Sequence, residues 1–142
     1  MIELRSLLCA EGIVRDVVTN NITVYNIIEE IGSVGFPLFL KKIFVFFVLN
    51  RTIEDDTEIE FDVKIINNEE LLYESTVKAD FQGKNRTRII IKFDGIAVSS
   101  PGELIVIVER NGKEYGKYMI KVNHLMEPPT IEEEPIAEES NK

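Results

Sequence analysis

Glu58-Ile59-Glu60-Phe61-Asp62-Val63-Lys64-Ile65 alternates apolar and charged residues without a break. Ile59, Phe61, Val63 and Ile65 share one side, and Glu58, Glu60, Asp62 and Lys64 share the other. Only a strand with one dry and one wet face requires this, because successive side chains leave a strand on opposite sides. Arg86 to Phe93 repeats the pattern, with Thr87, Ile89, Ile91 and Phe93 opposed to Arg86, Arg88, Ile90 and Lys92.

The rest of the chain reads as further strands separated by turn residues. A first strand is expected over Leu7–Val18, irregular at Glu11-Gly12, then a turn at Thr19-Asn20-Asn21 and a return over Ile22–Ile28. Ile27–Ile31 could instead form one helical turn stopped by Gly32, but the stretch is short and is read as strand followed by loop. Phe36-Pro37 opens the densest apolar stretch, which runs to Leu49; proline suits a strand start because it has no N–H for the ladder. Asn67-Asn68-Glu69-Glu70 joins the alternating strand to Leu71–Ala79. Asp94-Gly95 ends the strand begun at Arg86, and Pro101-Gly102 precedes Leu104–Val108, which is apolar on both faces. Asn111-Gly112 is the strongest hairpin signal, since both turn positions need positive φ and these residues accept it cheaply. Tyr118, Ile120 and Val122 then alternate with lysines and Met119 on the closing strand. The expected fold is all-β: an eight-stranded antiparallel β-sandwich, Ig-like or C2-like, over residues 1–126.

With 142 residues and one cysteine, the chain can bury a core and cannot build an internal disulfide framework. Cys9, within Leu7-Leu8-Cys9-Ala10, reads as a small buried hydrophobe. Residues 127–142 carry six glutamates and one lysine, a net of −5 out of −9, which leaves −4 for residues 1–126. Proline at 128, 129 and 135 together with those glutamates predicts a disordered acidic tail over 127–142. The longest apolar run, Ile43–Leu49, is far below the roughly 18 residues that cross a bilayer. The cytoplasm is the expected compartment. The acidic balance disfavours nucleic acid and anionic membrane as partners.

With the strands placed, the chain resembles a family of small uncharacterised bacterial proteins known only as a domain of unknown function. The resemblance rests on Asp16 ahead of the turn Thr19-Asn20-Asn21, the apolar strand Val24–Ile28, the Phe36-Pro37 step into a long strand, and the Pro101-Gly102 step into a hairpin ending near Val122. It spans roughly residues 7–122. Family members carry Gly-Lys at the first turn and a glycine inside the second strand, where this chain has Asn20-Asn21 and Asn26. The resemblance implies a fold and no activity.

The chemistry-bearing residues form no catalytic pattern. His124 is the only histidine, just past the last strand, and reads as a surface or edge residue; Ser99-Ser100 lies in an ordinary loop. Zinc would need clustered cysteine and histidine. Calcium needs several converging oxygens, and a C2-like sandwich could draw them from Asp55, Asp56 and Asp94. A hydrolase using two loop carboxylates is a third reading. No cofactor is expected. Arg86, Arg88 and Lys92 form a basic row, expected to pair with Glu58, Glu60 and Asp62 on a neighbouring strand.

The leading functional expectation is a non-enzymatic interaction or structural module that binds a protein partner or a second copy of itself. Between Phe39 and Leu49, Phe44, Phe46 and Val48 face one side, and Ile43, Val45, Phe47 and Leu49 face the other. A sandwich has one interior, so one row must lie on an outer face. The Ile43–Val45–Phe47–Leu49 row is taken as the interface, the other possibility being that the Glu29–Gly35 connection covers the outer row. The tail should contribute nothing to the core: truncation after Met126 is expected to shift Tm by no more than about 2 °C in a thermal melt.

Overall fold

The long two-faced strand and its neighbours close into two facing sheets. The computed structural model describes residues 1–127, so the expected disordered tail lies outside the described residues from 128 onward. Nine strands follow in order: β1 (Glu3–Arg15), β2 (Ile22–Ile27), β3 (Glu30–Ser33), β4 (Leu38–Asn50), β5 (Glu58–Asn67), β6 (Glu70–Asp80), β7 (Arg86–Val98), β8 (Gly102–Arg110) and β9 (Lys113–His124). The first sheet has the order β2-β1-β4-β7 and the second β3-β9-β8-β5-β6. The all-β expectation holds, with one strand more than expected. The extra strand is β3, which forms where a loop is expected after Ile28. It pairs parallel to β9, with Ile31 opposite Val122, so the sheet is not wholly antiparallel.

The dry face of the alternating strand is buried as its pattern requires. Ile59, Phe61, Val63 and Ile65 meet Leu104, Val106 and Val108 of β8 and Ile120 and Val122 of β9 in one core. From the opposite sheet come Ile43, Val45, Phe47 and Leu49, each with 0% exposure. Val45 lies between Cys9 and Ile91, and Phe47 between Leu7 and Ile89. Across the layers, Tyr73 meets Phe93 edge-on at 4.9 Å.

Several expected boundaries move, each for a local reason. β1 stops at Arg15 because Asp16 Oδ1 accepts the N–H groups of Val18 and Thr19 at 2.8 and 3.1 Å, which starts the turn at once. Those two N–H groups, Thr19's first, also hold the Asp16 carboxyl below the usual range. Asp94-Gly95 does not end β7. The ladder with β4 is interrupted only at Lys41 and Gly95, and both strands change facing there, so that Ile96 and Val98 turn into the core. Asn111 and Gly112 adopt φ of 53° and 79°, the tight hairpin expected of that pair. The Phe36–Pro37 peptide is cis.

The basic row does not pair as expected, because β7 and β5 lie in different sheets. Glu58 instead binds Lys78 at 3.0 Å on β6, and Asp62 accepts the Thr76 hydroxyl at 2.7 Å. Lys92 pairs with Asp94 on its own strand at 3.7 Å.

Asn67, at the end of β5, is a buried polar residue whose amide is fully used. Its Nδ2 donates to the carbonyls of Ser100 and Glu103 at 3.1 and 2.9 Å, and its Oδ1 accepts the N–H groups of Ser99 and Ser100 at 2.9 and 3.0 Å. Asn68 extends the clamp, donating to Ser100 Oγ and the Pro101 carbonyl and accepting from the Glu103 N–H. One asparagine pair thus fixes the β7–β8 connection. Asn67→Ala would leave the N–H groups of Ser99 and Ser100 without their partner, and chemical denaturation should show a loss on the order of 3 kcal/mol. Asn68→Ala, on the exposed side of the clamp, should cost clearly less.

Candidate interaction surface

β1 is long enough to serve two partners in turn. From Glu3 to Ala10 it pairs with β4, and from Ala10 to Arg15 with β2. The handover falls at Glu11-Gly12, the irregularity visible in the sequence. At Gly12, directly opposite Tyr25, any side chain would overlap the Tyr25 ring, so only glycine admits the aromatic. Asn26, beside it on β2, takes φ 56° and donates from Nδ2 to Glu11 at 3.0 Å. At the tip, Asn20 takes φ 62°. Both asparagines stand at left-handed positions, which asparagine tolerates better than most residues.

Beyond the handover the β1–β2 hairpin folds back across the outside of the first sheet. The Asn20 carbonyl and Oδ1 both accept hydrogen bonds from Arg88 of β7, the latter at 3.0 Å. Arg88 lies opposite Val48, and Val48 opposite Ser6 near the start of β1, so the hairpin tip has returned to the level at which β1 began. Arg15 and Ile22 of the hairpin therefore line a cleft with Phe46 and Val48 of β4. This cover leaves Phe44, Phe46 and Val48 half-buried.

The expected interface is thereby corrected. Ile43, Val45, Phe47 and Leu49 are the inward row, wholly enclosed, and no partner can reach them in the folded protein. The outer row is Phe44–Phe46–Val48, and its cover is the β1–β2 hairpin, not the Glu29–Gly35 connection. What remains open is the hairpin itself. Val17 and Val18 at its tip are each 88% exposed, and Val14, Tyr25 and Ile27 stand about half exposed along it. The first-strand reading had hidden Val17 and Val18. The signal for them was two adjacent apolar residues between Asp16 and Asn20, inside a turn too short to turn them inward.

The calcium candidates are not brought together. Asp94 lies opposite Lys42, whereas Asp55 and Asp56 follow Asn50, eight residues or about 26 Å along β4. Asp55 is already engaged: Oδ2 accepts the Met1 amine at 2.6 Å, the Thr52 N–H at 2.8 Å and the Thr52 hydroxyl at 2.8 Å. No group of three metal-type ligands occurs among the described residues. The acids are also dispersed: the larger cleft holds only Asp80, and a smaller one beside β6 and β7 only Glu70. His124 Nε2 lies 3.1 Å from the Val34 carbonyl, and its ring rests against Phe36. Cys9 is fully buried, and burial pushes its thiol up to about 12.

A family model described as a family of unknown function (DUF6941) matches residues 5–123. The chain belongs to that family. No curated protein matches the sequence.

The engagement of Asp55 has a pH signature. Its hydrogen bonds, the Met1 ammonium foremost and then Thr52, lower its pKa from 3.8 to about 2. A carboxyl with a depressed folded pKa stabilises the fold fully above its unfolded value and loses that contribution as pH falls through the folded one. Asp55→Asn should therefore lower Tm at neutral pH. The gap to the native protein should narrow below about pH 4 and close near pH 2 in melts across that range.

Proposed function

We propose that this member of the DUF6941 family is a non-enzymatic interaction module of the cytoplasm that engages another protein through the outward side of its β1–β2 hairpin. The observation that carries this reading is the run of exposed apolar side chains from Val14 through Val17 and Val18 to Tyr25 and Ile27. Exposed apolar residues gathered on one element favour burial against a partner, whereas scattered ones need no explanation. Tyr25 suits such a contact, because an aromatic ring held against a glycine backbone brings large area at little entropic cost.

A different protein is favoured over a second copy, because a chain of net charge −9 repels itself. The hairpin is the less charged exception: between Gly12 and Ile27 only Arg15 and Asp16 are charged, and they cancel. The non-enzymatic reading is supported by the positions of the reactive side chains. His124 has a carbonyl for its partner, and the Cys9 thiol is sealed in the core. Among the described residues no helix is long and apolar enough to cross a membrane.

A photo-crosslinking residue at position 17, introduced in the native cell, should yield one dominant protein adduct that is absent when the same residue replaces Lys78 on β6. Tyr25→Ser with Val18→Asp should abolish the adduct and leave Tm nearly unchanged. Equal crosslinking at both positions, or none at 17, would show that the hairpin's outward side is not the docking surface.

A further inference from the structure

The cleft under the hairpin carries charge opposite to that of the chain. Arg15, Lys84, Arg86 and Arg88 line it, and Asp80 is its one carboxylate, a local excess of three positive charges in a protein of net −9. Asp80 Oδ1 is already taken by the Gln82 N–H at 2.8 Å. Among the described residues none of the four cations lies within ion-pairing distance of a carboxylate; the charged partners found elsewhere are Lys64, Lys78, Lys92, Arg5 and the Met1 amine.

Two of these cations are nevertheless held in place. Arg86 Nε donates to Asn50 Oδ1 at 3.0 Å, and Arg88 Nη2 is fixed by the two oxygens of Asn20. Lys84 sits in a loop pinned from below, where the buried Arg51 donates from Nε to the Lys84 carbonyl at 2.7 Å. Asn50 and Asn20, the partners of the two arginines, are neutral. They orient the guanidinium groups without cancelling their charge, and each arginine keeps further N–H donors to spend. Positioned but uncompensated cations are what an anion site requires. The cleft also has an apolar lining, from Ile22 on the hairpin and from Phe46 and Val48 on β4. The cleft has a volume of about 560 Å³, within the range that holds small organic ligands.

We infer that this cleft binds a small phosphomonoester carrying an apolar or aromatic body, its phosphate among Arg15, Lys84, Arg86 and Arg88 and its body on Phe46, Val48 and Ile22. A phosphate dianion matches several convergent cations better than a carboxylate does. An extended polyanion is a poor occupant. The acidic residues Glu54, Asp55 and Asp56 begin four residues past Asn50, the residue that holds Arg86, and would repel a backbone running out of the cleft. The site uses the inner side of the hairpin and is independent of the protein contact proposed for its outer side.

Calorimetric titration at about pH 8, where the phosphate is a dianion, tests this with phenyl phosphate, inorganic phosphate and benzoate as probes on the full chain. Phenyl phosphate is expected to bind more tightly than either of the others. Arg88→Gln and, separately, Lys84→Gln should each weaken it by about tenfold, while Lys41→Gln, outside the cleft, should leave it unchanged. Phe46→Ala should weaken phenyl phosphate and spare inorganic phosphate. Lys84 is exposed in a loop, so its variant keeps the test decisive if Arg88→Gln fails to fold. No binding of phenyl phosphate at roughly 10 mM, equal binding of benzoate, or indifference to Lys84→Gln would each overturn the assignment. Amide chemical shifts displaced by phenyl phosphate should cluster at residues 15–22 and 80–88; shifts confined elsewhere would overturn it as well.

Discussion

A sandwich has one interior, and β4 brings two apolar rows to it. Only one can be buried between the sheets. The choice of Ile43, Val45, Phe47 and Leu49 leaves Phe44, Phe46 and Val48 facing out in the middle of a sheet. Left bare, they would form an apolar patch at the centre of the molecule. The β1–β2 hairpin resolves this by leaving the sheet at Gly12 and lying back over the outer row. The course of β1, the placement of Asn20 on Arg88, and the existence of any cleft under the hairpin all follow from that surplus row. β4 is in this sense the element to which the others accommodate.

The single-faced strands were legible in the sequence because their pattern has one solution. Alternation over Glu58–Ile65 names its own inner row, and the Asn111-Gly112 pair names its own turn. The strand β4 was not legible in the same way: with both rows apolar, periodicity gives the strand but not its facing, and the outward assignment of Ile43, Val45, Phe47 and Leu49 was the wrong one of two. Pairing across sheets was hidden for a related reason. Arg86, Arg88 and Glu58, Glu60 are complementary in charge, but complementarity carries no strand order, and β7 lies in the other sheet. The cleft was least legible of all. Lys84, Arg86 and Arg88 are neighbours in sequence, but only the backward fold of the hairpin brings Arg15 and the Asn20 oxygens to them and roofs the space between.

The asparagines combine a backbone role with a side-chain role. Asn20 at the first turn and Asn26 inside the second strand both stand at positive φ, where glycine is the default residue. Asparagine accepts this conformation and, unlike glycine, brings a side chain to each place. Asn20 uses its side-chain oxygen to hold Arg88, and Asn26 uses its amide to reach Glu11. Asn67 and Asn68 work likewise at the opposite end of the molecule, where side-chain amides stand in for backbone partners that the β7–β8 connection cannot find for itself.

The placement of β9 between β3 and β8 bears on the order in which the molecule can be completed during synthesis. β3 has no other strand to pair with, and the Tyr118 hydroxyl of β9 reaches the Ile28 carbonyl across 90 residues of chain, at 2.7 Å. Leu4 and Leu7 of β1 likewise rest beside Gly116 of β9. A ribosome delivers β1 and β3 long before β9 emerges, so the apolar side of β1 and the open edge of β3 must wait unpartnered in the nascent chain. Long-range pairings of this kind slow folding and lengthen the interval in which chains can aggregate. Roughly the first quarter of this protein is thus held to the timetable of its last strand.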